Sequence, residues 1–251
     1  MVKLKTLTLR LIIAGIIIVT ISMMSANGTH WRDADRSSSG IAPSADEYSS
    51  AVIQVYAART FGWRGALAVH TWISIKQEGA REYTVHHVLG WRLRRNLSVV
   101  VSQNDVPDRY WYGNEPDLLV DIRGEEAVAL IPRVEEAIAN YPYTDKYVMW
   151  PGPNSNTFTA FVGRQVPELK LDLPSTAIGK DYLASTDFIA NTPGGSGYQF
   201  SLFGVLGLSL AAEEGLEFNI LSLNFGINPA KLQVKLPAIG VVGKPLNLEE
   251  F

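Results

Sequence analysis

The sequence predicts an α+β fold, in which an antiparallel sheet packs against two main helices and a β-rich C-terminal extension follows. Three observations lead to this prediction. Residues 66–76 alternate apolar and polar side chains, as a half-buried strand does. Residues 124–140 carry apolar side chains at helical spacing. Residues 200–225 contain two apolar runs joined by the segment AAEEG, which is typical of a hairpin.

The composition fits one domain with a small appended part. The chain has 251 residues, of which 47% are hydrophobic and 19% are charged, so it can bury a core without disulfides. Basic and acidic residues are interspersed and the net charge is -3, so we expect no nucleic acid partner. The chain has no cysteine, so a covalent nucleophile must be Ser, Thr, Lys or a carboxylate. We expect no cofactor, and no metal because a third ligand at normal spacing is missing.

The N-terminus carries a targeting signal. Three basic residues precede the apolar segment 11–24. Residues 1–28 are predicted to be either a membrane anchor, which needs about 20 apolar residues, or a cleaved signal segment. Residues 29–50 are predicted to be a polar linker. Both interpretations make the membrane a partner and place the globular part on the extracytoplasmic, periplasmic side.

The predicted core covers residues 51–173 and contains a hairpin. In its first strand, residues 66–76, Leu, Val, Thr and Ile side chains share one face, while His, Trp and Ser side chains share the other. Residues 83–91 form the return strand after a glycine-containing turn. Further strand is expected around residues 97–102.

The hairpin is expected to bring histidines together. Directly opposed residues of two antiparallel strands point to the same face of the sheet. We therefore expect His70 to face His87 if the turn has two residues, or His86 if the turn has three. The sequence leaves both registers open.

Two helices and a β-rich part follow. The first helix, residues 124–140, has two acidic residues in its first turn, where the helix dipole favours them. A Pro/Gly turn leads into the second helix, for which Asn154 or Ser155 is a suitable N-cap. Residues 174–251 are predicted to be β-rich, with apolar strand runs at 200–210 and 216–225.

Ser155 and the histidines are candidate catalytic residues. A serine at a helix N-terminus lies beside free backbone N–H groups, which can stabilise an oxyanion. A histidine within hydrogen-bond reach of that serine could accept its proton, and a second polar group could orient the histidine. We therefore expect Ser155 as nucleophile, His70 as base, and His86 or His87 as the orienting group. The alternative is an N-capping serine and structural histidines.

This order of residues resembles the permuted papain-like proteins, such as the NlpC and lecithin:retinol acyltransferase-like groups. In those groups a strand histidine is followed by a polar residue on the next strand and then by a Cys nucleophile at a helix start. The matching positions are His70, His86 or His87, and Ser155 within NSNTF. The resemblance implies a papain-like fold, but Ser155 stands where those groups have Cys, so the site is either a serine variant or inactive.

An aromatic loop, residues 106–116, is a candidate binding platform. Arg109 can bind carboxylates, and Trp111 and Tyr112 can stack on a sugar or a peptide. We expect the Trp111 ring to be exposed beside a cleft, whereas the alternative is a loop packed over the core. Asn154 and Asn156 flank the candidate nucleophile, and they are either further substrate-binding residues or turn formers.

A second resemblance is more specific. The strings WRGALAVHTWI, PDRYWYGNEPDLLVDIRG, WPGPNSNTF and TAIGKDY are similar to the bacterial family catalogued as domain of unknown function 3750, over roughly residues 40–185. This resemblance implies an envelope protein and supplies no activity. We therefore predict an envelope-tethered, serine-variant papain-like amidase, esterase or acyltransferase acting on cell-wall peptide or lipid. The alternative is a non-catalytic envelope binding or scaffold domain.

Overall fold

A computed structural model describes residues 31–183 and 187–243. The predicted anchor or signal segment, residues 1–28, lies outside the described residues. Within the part of the chain that is described, no helix is both long enough and apolar enough to cross a membrane.

The described residues form two antiparallel sheets and two α-helices, which confirms the predicted α+β class and the β-rich C-terminal part. The first sheet has the order β4-β3-β2-β1-β5 and the second the order β12-β11-β10-β9-β8-β7-β6. The strands of the first sheet are β1 (Val52–Arg59), β2 (Val69–Lys76), β3 (Thr84–Val88), β4 (Val100–Asn104) and β5 (Pro116–Arg123). The α-helices are α1 (Glu125–Ala139) and α2 (Ser155–Gln165), and short 3-10 helices cover Gly62–Ala66, Gly90–Arg95 and Pro167–Leu169. The strands of the second sheet are β6 (Ile189–Asn191), β7 (Gly197–Leu202), β8 (Leu206–Ala211), β9 (Gly215–Ile220), β10 (Leu223–Asn228), β11 (Gln233–Leu236) and β12 (Gly240–Gly243).

The predicted hairpin is present as β2 and β3, but its register differs from both expected registers. Ile73 lies opposite His86, which places His87 opposite Trp72 rather than His70. The reason is the connection, which spans residues 77–83 and is longer than the expected turn of two or three residues. The shift amounts to two residues, so His70 and His87 still share a face.

The apolar core lies between one face of the first sheet and both α-helices. On this face, β2 contributes Val69 and Ile73, which pack with Ile131 of α1 and with Phe158 and Val162 of α2. Fully burying one such side chain stabilises the fold by about 1.5–3 kcal/mol. The alternation of β2 therefore determines which face the helices cover.

The other face of the first sheet carries an aromatic cluster. Tyr56, Trp72, Val85 and Trp111 are buried together there. Trp111 comes from the loop between β4 and β5, which covers this face. Helices and aromatic loop thus lie on opposite sides of the same sheet.

The second sheet contains more turns than predicted. The apolar run 200–210 holds the turn between β7 and β8, and the run 216–225 holds the turn between β9 and β10. The prediction of one strand for each run is therefore wrong, although the hairpin predicted around AAEEG is present as β8 and β9. Phe203 and Leu221 adopt positive φ angles in these turns although they are apolar, and the single Gly204 within an apolar run is a weak turn signal.

Candidate functional site

Asn154, rather than Ser155, caps helix α2. Its side-chain Oδ1 accepts hydrogen bonds from the backbone N–H groups of Asn156, at 2.9 Å, and Thr157, at 3.2 Å. The Thr157 hydroxyl accepts the Asn154 backbone N–H at 3.1 Å, which completes a capping box. Ser155 is therefore the first helical residue and does not act as the cap.

The two asparagines hold the backbone together and do not face a pocket. The Asn154 amide donates to Met149 O and Ile178 O, both at 3.0 Å. The Asn156 amide donates to Val69 O at 3.1 Å and to Ile178 O at 2.8 Å. Both side chains are buried and their amide hydrogens are used. Both asparagines therefore have structural contacts: Asn154 caps α2, and Asn156, in the first turn of α2, ties the helix to the backbone of β2.

The structure does not bring Ser155 and His70 together. Helix α2 packs on the face of β2 that carries Thr71, whose hydroxyl donates to Ser155 O at 3.2 Å. Successive residues of a strand point to opposite faces, so His70 points away from α2. The His70 ring instead contacts Trp72, His87 and Trp111 in the aromatic cluster. His70 is thus not placed as a base for Ser155.

His70 and His87 form a buried pair. His70 Nε2 lies 3.3 Å from His87 Nδ1, so one ring donates to the other. Burial holds the pKa of His70 well below its usual value and lowers the pKa of His87 to about 3. Both rings are therefore neutral at neutral pH.

His86 lies on the other face of β3, together with the helices. Its Nδ1 pairs with Ser102 Oγ at 2.8 Å, and burial lowers its pKa to about 4. Of the two alternatives predicted from the hairpin, His87 is the partner of His70.

Trp111 is buried, so the expectation of an exposed ring is wrong. Only 8% of the residue is exposed, and its indole lies on the His70 ring with the centroids 3.8 Å apart. Flat stacking on His70 and contact with Trp72 close the space around the indole. The loop therefore packs over the sheet, which was the alternative to an exposed platform. Its outer rim still borders a cleft.

That cleft is a pocket of about 280 Å³ beside the aromatic loop. The predicted residues Arg109, Trp111 and Tyr112 line it, and so does His87. The other lining residues come from the N-terminal segment, the Gly90–Arg95 helix, β4 and the loop: Arg36, Leu89, Trp91, Arg92, Val101, Gln103 and Tyr110. The pocket thus brings the residues of the predicted platform together with one of the predicted histidines, His87.

The pocket is basic. Three arginines line it, namely Arg36, Arg92 and Arg109, and no carboxylate does. Arg109 pairs with Asp105 at 2.6 Å. Arg36 lies over the Tyr112 ring at 4.6 Å, and Arg92 Nε donates to Ser98 O at 2.6 Å. None of the three arginines has a carboxylate partner among the lining residues, and Arg36 and Arg92 donate to backbone carbonyls, those of Ala34, Trp31 and Ser98.

His87 adds a polar group to this wall. The residue is 1% exposed, and its Nε2 has no hydrogen-bond partner among the described residues. A buried ring nitrogen without a partner costs free energy, and the residue that carries it lines the pocket. His87 can offer this nitrogen as donor or acceptor, depending on its tautomer.

Sequence reasoning missed Arg36, Trp91 and Arg92. Trp91 and Arg92 belong to the string GWRLRR, in which an aromatic residue next to several arginines is a usable signal for binding anions. Arg36 was missed because residues 29–50 read as a free linker. The described part of this segment packs against the loop instead, since the buried Asp108 carboxylate accepts the backbone N–H groups of Ile41 and Ala42 at 2.7 and 3.0 Å.

The remaining chemistry is limited by the residue types present. Within residues 31–183 and 187–243, no group of three or more His, Cys, Asp or Glu side chains could hold a metal ion. The described pocket thus offers positive charge, aromatic surface and one histidine nitrogen. Arginine and aromatic groups of this kind can bind an anionic ligand.

Comparison with known proteins identifies the family. No curated protein and no solved structure matches the chain. The family described as protein of unknown function (DUF3750) matches residues 50–182, which include the whole first sheet and both α-helices. The chain therefore belongs to the DUF3750 family, as the sequence resemblance predicted.

Proposed function

We propose that this protein is a binding domain of the cell envelope whose basic, aromatic pocket holds a small organic anion. The observation that carries the proposal is the placement of Arg36, Arg92 and Arg109 around one pocket without a lining carboxylate. Arginine binds carboxylate and phosphate groups through two parallel hydrogen bonds. The carboxylate of a cell-wall peptide or the phosphate of a lipid has this chemistry.

Aromatic surface supports a ligand with a ring or an apolar part. Trp91 is 47% exposed at the rim, while Tyr112 and the edge of Trp111 form the wall. Aromatic faces stack on sugars and apolar groups at little entropic cost. The volume of about 280 Å³ fits the end of a larger molecule, such as one terminal residue or one headgroup.

The catalytic alternative has weaker support. A serine nucleophile needs a base within about 2.6–3.2 Å, or through one water, and His70 lies on the opposite face of the sheet from α2. The order of β2, β3 and α2, with Asn154–Ser155 at the helix start, supports a distant permuted papain-like relationship in which the site has become inactive. We therefore favour the non-catalytic form of the predicted envelope domain.

Export is part of the proposal. The basic flank and the apolar segment 11–24 support a location on the extracytoplasmic side of a membrane. A fusion of the C-terminus to alkaline phosphatase, which is active only outside the cytoplasm, should be active. Activity of a cytoplasm-specific reporter at the same position would contradict export.

Binding is tested by calorimetric titration of the full chain with inorganic phosphate and with acetyl-D-alanyl-D-alanine, which has a free carboxylate. Arg92→Gln removes one pocket charge, and we expect its affinity to fall about tenfold or more, since a hydrogen bond to a charged group contributes about 1.5–3 kcal/mol. Arg94→Gln is the matched control, because Arg94 lies on the same short helix but does not line the pocket. Equal affinities of the two variants, or no binding of either anion by the natural chain, would contradict the proposal.

A further inference from the structure

The second sheet exposes a continuous apolar face. In its middle row, Phe200 lies opposite Leu208, Leu208 opposite Phe218, and Phe218 opposite Phe225. All four side chains are exposed, with Leu208 at 45%. Parallel rows of apolar side chains run above and below this one, through Leu210 and Leu206. No charged residue interrupts the rows from β7 to β10.

The opposite face of this sheet is polar and already has its partner. Glu217 and Lys235 are buried there and pair at 2.7 Å, and Glu217 also pairs with Lys180, which precedes the sheet in the chain. Arg164 of α2 reaches the same face and donates to Gln199 at 2.8 Å. The sheet is thus attached to the rest of the protein by its polar face, which leaves the apolar face outward.

The two ends of the second sheet also differ in polarity. The turns at one end present Phe203, Leu221 and Ile239, and the first two are 52% and 60% exposed. The turns at the other end carry Glu213 and Lys231, which pair at 3.2 Å. Leu232, 73% exposed, lies beside this pair, whereas the turns at the first end contain no charged residue. The apolar surface therefore continues from the face most fully around the first end.

The apolar turns also have an unusual backbone conformation. Phe203, Leu221 and Ala238 adopt the left-handed region, with φ of 54°, 53° and 63°. This region is strained for residues other than Gly, Asn and Asp. A turn of this kind favours Asn or Gly. The exposed Phe203 and Leu221 side chains therefore have no conformational explanation, and they extend the apolar surface around this end.

The dimensions of the second sheet suit a surface that lies on a bilayer and does not cross it. Seven strands span about 29 Å, and six-residue strands are about 20 Å long, whereas a spanning strand needs about 9–11 residues. The flat face covers roughly 600 Å², the upper limit of the largest apolar patches on monomeric proteins. Shallow burial also keeps the free edges of β6 and β12 near water.

We propose that the outer face and the apolar turns of the second sheet rest in the interfacial layer of a lipid bilayer. A second copy packed face to face would cover the rows but leave Phe203 and Leu221 in water, whereas a bilayer covers both. Arg59 donates to both Gly65 O and Ile239 O, so the short helix that carries Trp63 and Arg64 lies beside the apolar end. An exposed Trp next to an Arg suits lipid headgroups.

The test uses the absence of cysteine, which allows a fluorophore to be placed at one chosen residue. Leu208→Cys reports the face and Phe203→Cys the apolar end. Lys231→Cys at the charged end and Val128→Cys, an exposed apolar position on α1, are the controls. The full-length chain, labelled with an NBD dye, is reconstituted in vesicles of phosphatidylethanolamine and phosphatidylglycerol. Its own N-terminal segment keeps every variant in the preparation, so the measurement reports which surface meets lipid.

We expect the labels at 208 and 203 to shift to shorter emission wavelength, to be quenched by spin-labelled lipid and to be shielded from iodide. The labels at 231 and 128 should be quenched by iodide only. Iodide quenching at 208 and 203 would overturn the proposal. So would shielding at 208 without lipid quenching, together with disulfide cross-linking between two copies of the unlabelled Leu208→Cys variant, which would identify a second copy as the occupant. Equal lipid quenching at all four positions would also overturn it.

Discussion

The Trp111 indole lies flat on the His70 imidazole, with their planes 11° apart and their centroids 3.8 Å apart. This contact covers the His70 ring, so a substrate in solvent cannot reach His70 as a base. It also fixes the wall of the pocket, since Trp111 contacts His70 on one side and borders the cleft on the other. Trp111 therefore both covers His70 and shapes the wall of the proposed binding pocket.

Trp111 should matter for stability, whereas Trp91 should matter for binding. Trp111→Ala removes a buried indole, and we expect a loss of about 3–5 kcal/mol in the free energy of unfolding. Trp91→Ala removes an exposed ring and should change stability by less than about 0.5 kcal/mol, while it weakens anion binding. Urea denaturation and calorimetry on both variants check this. Equal destabilisation by the two substitutions would contradict the assigned roles.

Substitutions of Asn154 and Ser155 should differ in how much stability they cost. Asn154→Ala removes the cap and leaves buried backbone groups without partners, so we expect a loss of about 2 kcal/mol. Ser155→Ala should cost clearly less, because its hydroxyl does not cap the helix. Thermal unfolding of both variants measures the difference.

Ser155→Ala also tests the catalytic alternative. We expect no difference between the natural chain and this variant in hydrolysis of p-nitrophenyl acetate, since His70 is not within reach of α2. Hydrolysis by the natural chain that disappears in Ser155→Ala would restore the serine-enzyme prediction, with a base other than His70.

The outcome at His70 shows what the sequence could predict. The alternation of β2 correctly places Thr71 with Ile73 on one face and His70 with Trp72 on the other. Helices cover the apolar face, so the pattern already implied that α2 would meet Thr71 and not His70. The conflict was missed because histidine and serine were matched by their order along the chain and not by the face of the strand.

Other features could not be predicted from local patterns. The register of β2 and β3 depends on the path of their connection, residues 77–83, and a glycine-containing turn in the sequence does not fix that path. The burial of Trp111 depends on the path of the whole loop. Arg36 reaches the pocket because Asp108 binds the distant backbone at residues 41 and 42, a tertiary contact that leaves no periodic signal.

Acid should destabilise the protein through its buried histidines. Burial lowers the pKa of His86 to about 4 and of His87 to about 3, below the ordinary value of 6.5. Below pH 6.5 the unfolded chain binds protons that the folded chain does not, so the free energy of unfolding falls as the pH falls. Each histidine contributes a slope of up to about 1.4 kcal/mol per pH unit between its two pKa values.

The contribution of one histidine is measured by His87→Gln. Denaturation of the natural chain and the variant between about pH 6.5 and about pH 4, inside the window bounded by the ordinary pKa of 6.5 and the folded pKa of about 3, should give a smaller slope for the variant. Since the two histidines have separate environments, His86→Gln should reduce the slope as well. Parallel curves for the natural chain and both variants would show that the folded histidines titrate as in the unfolded chain.

The buried ion network between the two sheets should be necessary for their attachment. Glu217→Gln leaves Lys180 and Lys235 with less compensating charge in a buried place, and we expect roughly 3 kcal/mol of destabilisation. Glu213→Gln is the control, because its pair with Lys231 is partly exposed and contributes about 0–1 kcal/mol. Similar stabilities of the two variants would contradict a structural role of the buried network.

Anion binding in the pocket beside the aromatic loop can be observed at the tryptophans that line it. The chain has six tryptophans, and two of them, Trp91 and Trp111, line that pocket. Titration of the indole-labelled protein with acetyl-D-alanyl-D-alanine or inorganic phosphate, followed by nuclear magnetic resonance, should move the Trp91 and Trp111 signals and leave those of Trp63 and Trp150 in place. Unchanged signals at Trp91 and Trp111 up to saturating anion, or shifts confined to Trp63 and Trp150, would contradict anion binding in this pocket.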